Sequence, residues 1–366
     1  MTGSRTLTQT TPRRAARLAL LAAALIGGCL PAAAADGIQF DWHGVAEVTG
    51  VRASNAPRGS GDGWNAYGGY ALTGNGTVTT DSGLSYGLSA TIGSGDYEKS
   101  QDRVGNNADL TVNEAYLHVT SAWGRLRLGD EDGAAKRAVD LLPLLPGGQV
   151  DGFWNHTAGA APYWSHLGRD SDDATKVLYE TPRVMGLRAG VSYAWKRQSL
   201  VEDIKKPSAI APERDMWEFG LNYQGDWQAF SYELAAGYVR GDAGAAGIHD
   251  TESLKLAGLL LYGGFSAGLV WTDDGKSGQP VGIASSRGYT LTGGYENGPY
   301  ALSIWRQASE RGQVEDYTAY GMGLSWRFYK QTSLGFDLVR YDADRLPGFG
   351  VSAKGWTGAL TLQMRV

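Results

Sequence analysis

From residue 38 to the C-terminus the chain alternates apolar and polar side chains at period two, and no stretch sustains a period of 3.6. In the last segment Trp356, Leu360, Leu362, Met364 and Val366 share one face, while Thr357, Thr361, Gln363 and Arg365 share the other. Near the start Phe40, Trp42, Ala46 and Val48 oppose Asp41, His43, Glu47 and Thr49. The pattern predicts sixteen strands, near 38–53, 67–80, 84–94, 111–122, 125–129, 175–184, 187–197, 215–224, 227–240, 253–262, 265–272, 287–297, 299–308, 317–328, 332–342 and 353–366.

The connections between these strands alternate between very short turns and long polar loops. Asp81-Ser82-Gly83, Trp123-Gly124, Met185-Gly186, Gly225-Asp226, Gly263-Gly264, Asn297-Gly298 and Tyr329-Lys330-Gln331 have hairpin-turn chemistry. Segments 95–110, 198–214 and 273–286 are instead long and rich in Gly, Ser, Asp and Lys. A soluble sandwich has no reason to keep every second connection short. A barrel of the bacterial outer membrane does, with short periplasmic turns and long external loops.

The two faces agree with that architecture. Leu84, Tyr86, Leu88 and Ile92, then Phe230, Tyr232, Leu234 and Tyr238, then Met322, Leu324, Trp326 and Phe328 form apolar rows suited to lipid. Their alternating partners are small or polar, and Tyr and Trp fall near strand ends, where aromatic girdles sit. Within hydrocarbon every backbone polar group must be paired, so such a sheet must close on itself. The expected fold is therefore all-β, a 16-stranded antiparallel transmembrane β-barrel around a water-filled channel.

One connection is exceptional. Residues 130–174 separate the fifth and sixth strands and carry Leu141, Leu142, Leu144, Leu145, Phe153, Trp154, Tyr163 and Trp164, too many apolar side chains for a solvated tail. A loop this long is usually functional, and in a barrel the surface open to it is the lumen wall. It is expected to fold inward.

The N-terminus has a different character. Arg5, Arg13, Arg14 and Arg17 precede the apolar run Leu18–Gly28, and an Ala-x-Ala site ends at Ala35, the three parts of a secretory signal peptide. Residues 1–35 are read as that signal and 36–366 as the mature barrel. Cys29, the single cysteine of the chain, also stands in a lipobox-like Ile26-Gly27-Gly28-Cys29, so lipidation at Cys29 is the competing reading. Removing four Arg from the 33 basic residues leaves 29 against 38 acidic ones, a formal charge of −9. That balance excludes a nucleic-acid binder. Glycine supplies 53 of 366 residues without a collagen-like repeat.

Specific stretches carry a family resemblance. TTDSGLSYGLSA at 79–90, AYLHVTSAWGRLRLGDEDGAA at 115–135 and KVLYETP at 176–182 resemble the Gram-negative general porins, particularly those of alphaproteobacteria. The second stretch has the family's succession of strand, aromatic-Gly turn, short strand and Gly-Asp opening the constriction loop. The resemblance implies a homotrimer in the outer membrane, in contact with its lipid and lipopolysaccharide, that passes small hydrophilic solutes by passive diffusion. The chain departs from the family in ending with Val366 where such porins usually end in Phe.

The resemblance also implies a charged constriction, with loop acids facing wall bases. On the loop this points to Asp140 and Asp151, with Asp130, Glu131 and Asp132 where it begins. On the wall it points to Arg125 and Arg127, with Glu114, Tyr116 and His118 on the neighbouring strand. With an acidic mature chain, a mild cation preference is expected. Phe153, Trp154, Tyr163 and Trp164 suggest either sugar stacking in a substrate-biased channel or simple packing of the loop on the wall. Asp170, Asp172 and Asp173 are a Ca2+ candidate without EF-hand spacing. His43, His118, His156, His166 and His249 have no metal-ligand spacing, and GLSAT, GVSYA and GLSWR lack the last Gly of a nucleophile elbow. An outer-membrane hydrolase is thus the rival class; no enzyme activity and no catalytic residue are expected.

Overall fold

The computed structural model describes residues 37–55, 63–94, 110–142, 150, 152, 154–158, 166–199, 212–283, 285–347 and 352–366. Its strands are β1 Ile38–Ala53, β2 Trp64–Thr79, β3 Ser85–Ser94, β4 Leu110–Ser121, β5 Gly124–Asp130, β6 Thr175–Glu180, β7 Leu187–Lys196 and β8 Arg214–Trp227. They continue as β9 Phe230–Asp242, β10 Thr251–Tyr262, β11 Phe265–Gly275, β12 Ser286–Asn297, β13 Tyr300–Arg311, β14 Glu315–Tyr329, β15 Thr332–Arg345 and β16 Ala353–Arg365. Among the described residues, two short helices, α1 Ala134–Val139 and α2 Trp154–Thr157, lie between β5 and β6. The signal-peptide reading of residues 1–35, Cys29 included, lies outside the described residues.

Each strand pairs antiparallel with its neighbours in sequence, and β16 returns to β1 to close the barrel. The closing register runs from Val45 opposite Arg365 to Ala53 opposite Thr357, and Gly44 and Val366 exchange both backbone hydrogen bonds. The terminal Val366 is therefore part of the seam. No described helix is long and apolar enough to cross a membrane; the chain crosses with strands.

Side-chain alternation is as the sequence predicts. Leu88, Leu234, Met322, Leu324, Trp326, Leu360 and Leu362 are exposed on the outer, apolar face. Positions between them, such as Ser89, Ser325, Thr361 and Gln363, are buried on the other face. The turn at Met185-Gly186 has φ of 49° and 85°, the doubly positive backbone of a tight hairpin.

Three expectations are corrected. Gly225-Asp226 does not turn: both lie in β8, and the turn comes at Gln228, with φ of 55°. Gly225 is opposite Tyr232, whose ring occupies the space a Cβ would need, so glycine there serves packing across the strands. The β13–β14 connection, on the long-loop side, is only Gly312-Gln313-Val314, because both strands run further outward than their apolar alternation shows. Finally, the inner face is not uniformly polar. Trp305, Tyr317, Ala319, Val339, Tyr341, Ala359 and Val51 form a buried apolar cluster across β13–β16 and β1.

Candidate functional site

The loop between β5 and β6 is held against the polar face of the wall at two places. Its first limb forms α1, which lies on β6–β10. The surface beneath is a row of three glycines in register, Gly190 on β7, Gly220 on β8 and Gly237 on β9. A side chain at Gly220 would strike the carbonyl of Ala134 and the Cβ of Ala138, and one at Gly237 would come within 3.0 Å of the Ala135 carbonyl. Small residues on both surfaces, Ala134, Ala135 and Ala138 on the helix, allow backbone to approach backbone.

Polar side chains beside the glycine row supply direction. Ser192 Oγ accepts the Ala134 N–H at 3.0 Å, and Glu218 accepts the Ala135 N–H at 3.0 Å. Asn222 donates Nδ2 to the Ala138 carbonyl at 3.3 Å. These contacts satisfy orphan groups at both ends of a helix too short to hold itself. Glu218 also accepts the Ser171 N–H at 2.8 Å and the Ser171 hydroxyl, so one carboxylate grips the outgoing and returning limbs together.

The second helix, α2, touches β1 and β16. Trp154 is 1% exposed, with its ring 5.7 Å from that of Trp305 on β13, and Val150 and Ala158 join the same cluster. The apolar patch on the inner wall thus receives an apolar stretch of loop. Of the aromatic quartet, Trp154 packs the loop to the wall and is closed to a solute. Phe153, Tyr163 and Trp164, and Asp151 among the acids, lie outside the described residues.

The expected charge arrangement is redistributed. Asp130 is the last residue of β5, buried, and accepts hydrogen bonds from Thr175 and Ser199. Glu131 is fully buried and pairs with Arg127 at 2.7 Å; burial pushes its carboxyl up, with Arg127 opposing that shift. Arg127 also meets Glu180 at 3.5 Å and lies over the Tyr116 ring at 5.2 Å. Two residues expected on opposite sides of a pore therefore form one buried ion pair at the loop's root, because only three residues separate them at a strand end. Arg125 remains an exposed cation, with Nε on Thr120 at 3.1 Å. Asp140 is exposed where α1 ends.

Arg125 and Arg127 share a recess of about 330 Å3 with Tyr116, His118, Asp41, Asn75, Thr77, Ser85 and Thr120. His118 turns Nε2 toward Thr77 Oγ1 at 3.4 Å. Glu114 belongs elsewhere, in a carboxylate group with Asp132 and Asp173. The run expected to hold Ca2+ is divided. Asp170 is buried and caps the Asp172 N–H at 2.8 Å, Asp172 faces Arg197 at 3.5 Å, and only Asp173 enters the carboxylate group. Lys136 reaches Asp132 at 2.5 Å. Burial alone would lower this ammonium, but Asp132, Asp170 and Asp173 hold it well above its usual range. Burial, with Asp172, Asp132 and Glu114 nearby, pushes Asp173 up to about 8.

Several anchoring residues carry no sequence motif. Lys176 donates to the carbonyls of Glu131 and Asp172, Lys255 to that of Leu167, and Arg197 to that of Asp170 at 3.0 Å. Arg169 pairs with Glu213 at 2.6 Å. For Lys176, Lys255 and Glu218 the signal in the sequence was a charged residue on the lumen-facing side of a strand, and finding its partner required the register; Arg169 and Arg197 lie outside the strands and carried no such signal.

Known proteins agree with this architecture. A family model described as Gram-negative porin matches residues 19–346. Among solved structures, a mutant of the Rh. blastica porin is similar at 15% identity, covering 90% of this chain and 100% of its own, with a TM-score of 0.57. A porin refined at 1.8 Å is 19% identical over the same shares, with a TM-score of 0.60. A loop-deletion mutant of OmpT, an outer membrane protein of Vibrio cholerae, is 12% identical, again over 90% and 100%, with a TM-score of 0.62. Among curated protein sequences none matches the chain.

Proposed function

The chain belongs to the Gram-negative porin family of outer-membrane barrels, and we propose that it passes small hydrophilic solutes and ions by passive diffusion through a lumen narrowed by the loop of residues 130–174. One observation carries this reading. The first helix of the loop is seated on strands centred on β8, and the second touches β16 and β1. Between these seats Leu142 reaches Gly268 on β11 and Trp154 lies on Trp305 of β13, so the loop covers a large part of the inner wall, and its bulk supports a narrowed lumen.

The residues that make the barrier are hydrogen-bonded or packed, which suits a fixed restriction rather than a moving gate. Arg127 and Glu131 pair with each other, Arg125, Arg137 and Asp140 are exposed, and the acid excess of the mature chain supports a mild cation preference. Trp154, packed on Trp305, supports unspecific diffusion over sugar stacking. The reading needs no cofactor and no catalytic group: Lys136 already inserts its charge among Glu114, Asp132 and Asp173. The assembly proposed is the homotrimer of the family.

The experiment is single-channel conductance of the purified protein in a planar bilayer, with a graded set of neutral sugars and a salt gradient. Stepwise, ohmic openings with a sharp sugar-size limit and a reversal potential favouring cations are expected. Absence of conductance would end the diffusion reading, and saturable block by an oligosaccharide would replace it with the substrate-biased one.

A further inference from the structure

At the short-turn end of β1–β5 the inner wall carries two charges of opposite sign that it does not match itself. Asp41 stands near the start of β1, and Arg125 is the second residue of β5. Both are exposed, and among the described residues neither is in an ion pair. The acid opposite Arg125 on β6, Glu180, turns instead to Arg127 at 3.5 Å and Arg137 at 3.6 Å. Arg127 is in turn matched by Glu131 at 2.7 Å. The wall is left with one unpaired pole of each sign.

Both poles line a single recess of about 330 Å3, and each is drawn toward the other. Asn75 on β2 donates Nδ2 to Asp41 at 2.9 Å, and Arg125 donates Nε to Thr120 Oγ1 on β4 at 3.1 Å. With the charges drawn toward β2 and β4, two strand spacings set them about 10 Å apart. Between them the recess offers the hydroxyls of Thr77, Ser85 and Thr120. Gly87 lies in register between Thr77 and His118, and the imidazole crosses it to reach Thr77 Oγ1 at 3.4 Å. A Cβ at Gly87 would come within 3.0 Å of that ring, so glycine keeps this part of the wall low.

An acid and a base at the two ends of a strip of hydroxyls match a ligand of the same layout. A simple anion would meet Asp41, and a simple cation would meet Arg125. A single amino acid carries both charges on one carbon and cannot span the poles. An extended chain advances about 3.3–3.6 Å per residue, so about three residues reach across. We propose that this recess is a subsite for zwitterionic short peptides, with the C-terminal carboxylate on Arg125, the N-terminal ammonium on Asp41 and the amides on the hydroxyls between. The guanidinium suits the carboxylate because it presents paired donors. This is not a field between loop and wall: both poles belong to the wall, on the short-turn side of Asp130, where β5 gives way to the loop. The inference rests on the channel reading, through which solute reaches the recess, and adds a solute class to it.

The test uses the purified protein in detergent micelles and saturation-transfer NMR, with triglycine, N-acetyltriglycine, triglycinamide and glycine as probes. Conductance of the same preparation in a planar bilayer is recorded in parallel. Triglycine is expected to bind saturably, and the other three roughly fivefold more weakly, the upper range for loss of one exposed ion pair. Asp41→Asn should weaken triglycine by the same factor and leave N-acetyltriglycine, which has no ammonium, as it was. Arg125→Gln should likewise weaken triglycine and spare triglycinamide, because each pair of changes removes the same contact. Heat-modifiable electrophoretic mobility reports whether a variant barrel is closed; if neither variant folds, the wild-type ranking of the four probes decides alone. Equal binding of the four probes overturns the proposal, as does undiminished triglycine binding in both variants. A preparation that conducts without preferring triglycine removes the subsite and leaves the diffusion reading standing. One that prefers triglycine without conducting supports the recess and ends the diffusion reading.

Discussion

Glu218 on β8 accepts the backbone N–H of Ala135 at 3.0 Å, and so caps from across the wall a helix whose own N-cap residue, Gly133, has no side chain to do so. The same carboxylate holds Ser171. Hydrogen bonds to a buried charge are worth about 1.5–3 kcal/mol each, so Glu218→Ala should release both limbs and leave the barrel, built from backbone pairing, intact. The expected result is a larger single-channel conductance, a higher sugar-size limit and rapid proteolysis between residues 131 and 174, with unchanged heat-modifiable mobility. Wild-type conductance in Glu218→Ala would show that the loop is held by other contacts.

Gly220 tests the same attachment sterically. Its missing side chain lets the Ala134 carbonyl and Ala138 lie on the sheet, and the obstruction is backbone, which cannot rotate away. Gly220→Val is expected to lift α1 from the wall and raise conductance, although valine is the better strand former. Gly258 has only ordinary packing contacts beside the space a Cβ would take, so Gly258→Val serves as the control and should leave conductance unchanged.

These two residues also show what a sequence can disclose. Alternation located every strand because each position has only two directions to face, and in a membrane barrel those directions are lipid and water. Strand ends were less legible: β13 and β14 continue past the apolar run as far as Arg311 and Glu315, where hydrogen-bonded polar side chains no longer alternate in hydropathy. The loop was recognisable from its length and apolar content, but its seat was not. Gly190, Gly220 and Gly237 become a surface only when the register of three strands aligns them. Likewise Arg127 and Glu131 read as opposing charges until the strand is seen to end between them, at Asp130.

Asp173 makes the returning limb sensitive to pH. Burial and the neighbouring Asp172, Asp132 and Glu114 raise its carboxyl to about 8, with Lys136 opposing. The attached loop therefore binds a proton that a free aspartate, titrating near 4, has already lost. Between about 4 and 8 the attached state holds more protons, and attachment weakens as pH rises through that window. Channel noise and protease access to the loop should increase from pH 6 to pH 9. Asp173→Asn, neutral at every pH, should remove that part of the dependence. An identical pH profile in Asp173→Asn would assign the effect to another group.

Trp154 decides how the far limb is held. Its ring is buried against Trp305 among Tyr317, Val339 and Tyr341, an inner-wall cluster that exists to receive it. Truncating a buried tryptophan costs about 3–5 kcal/mol, and here the loss falls on the loop alone, since the strands beneath remain paired. Trp154→Ala should increase conductance and proteolysis while leaving the current free of saturable sugar block, as in the wild type. Trp305→Ala should reproduce both effects, and the double variant should add little to either single change, because each removes the same contact. If Trp154→Ala instead abolished a saturable sugar block present in the wild type, Trp154 would belong to a solute site and the wall contact would be incidental.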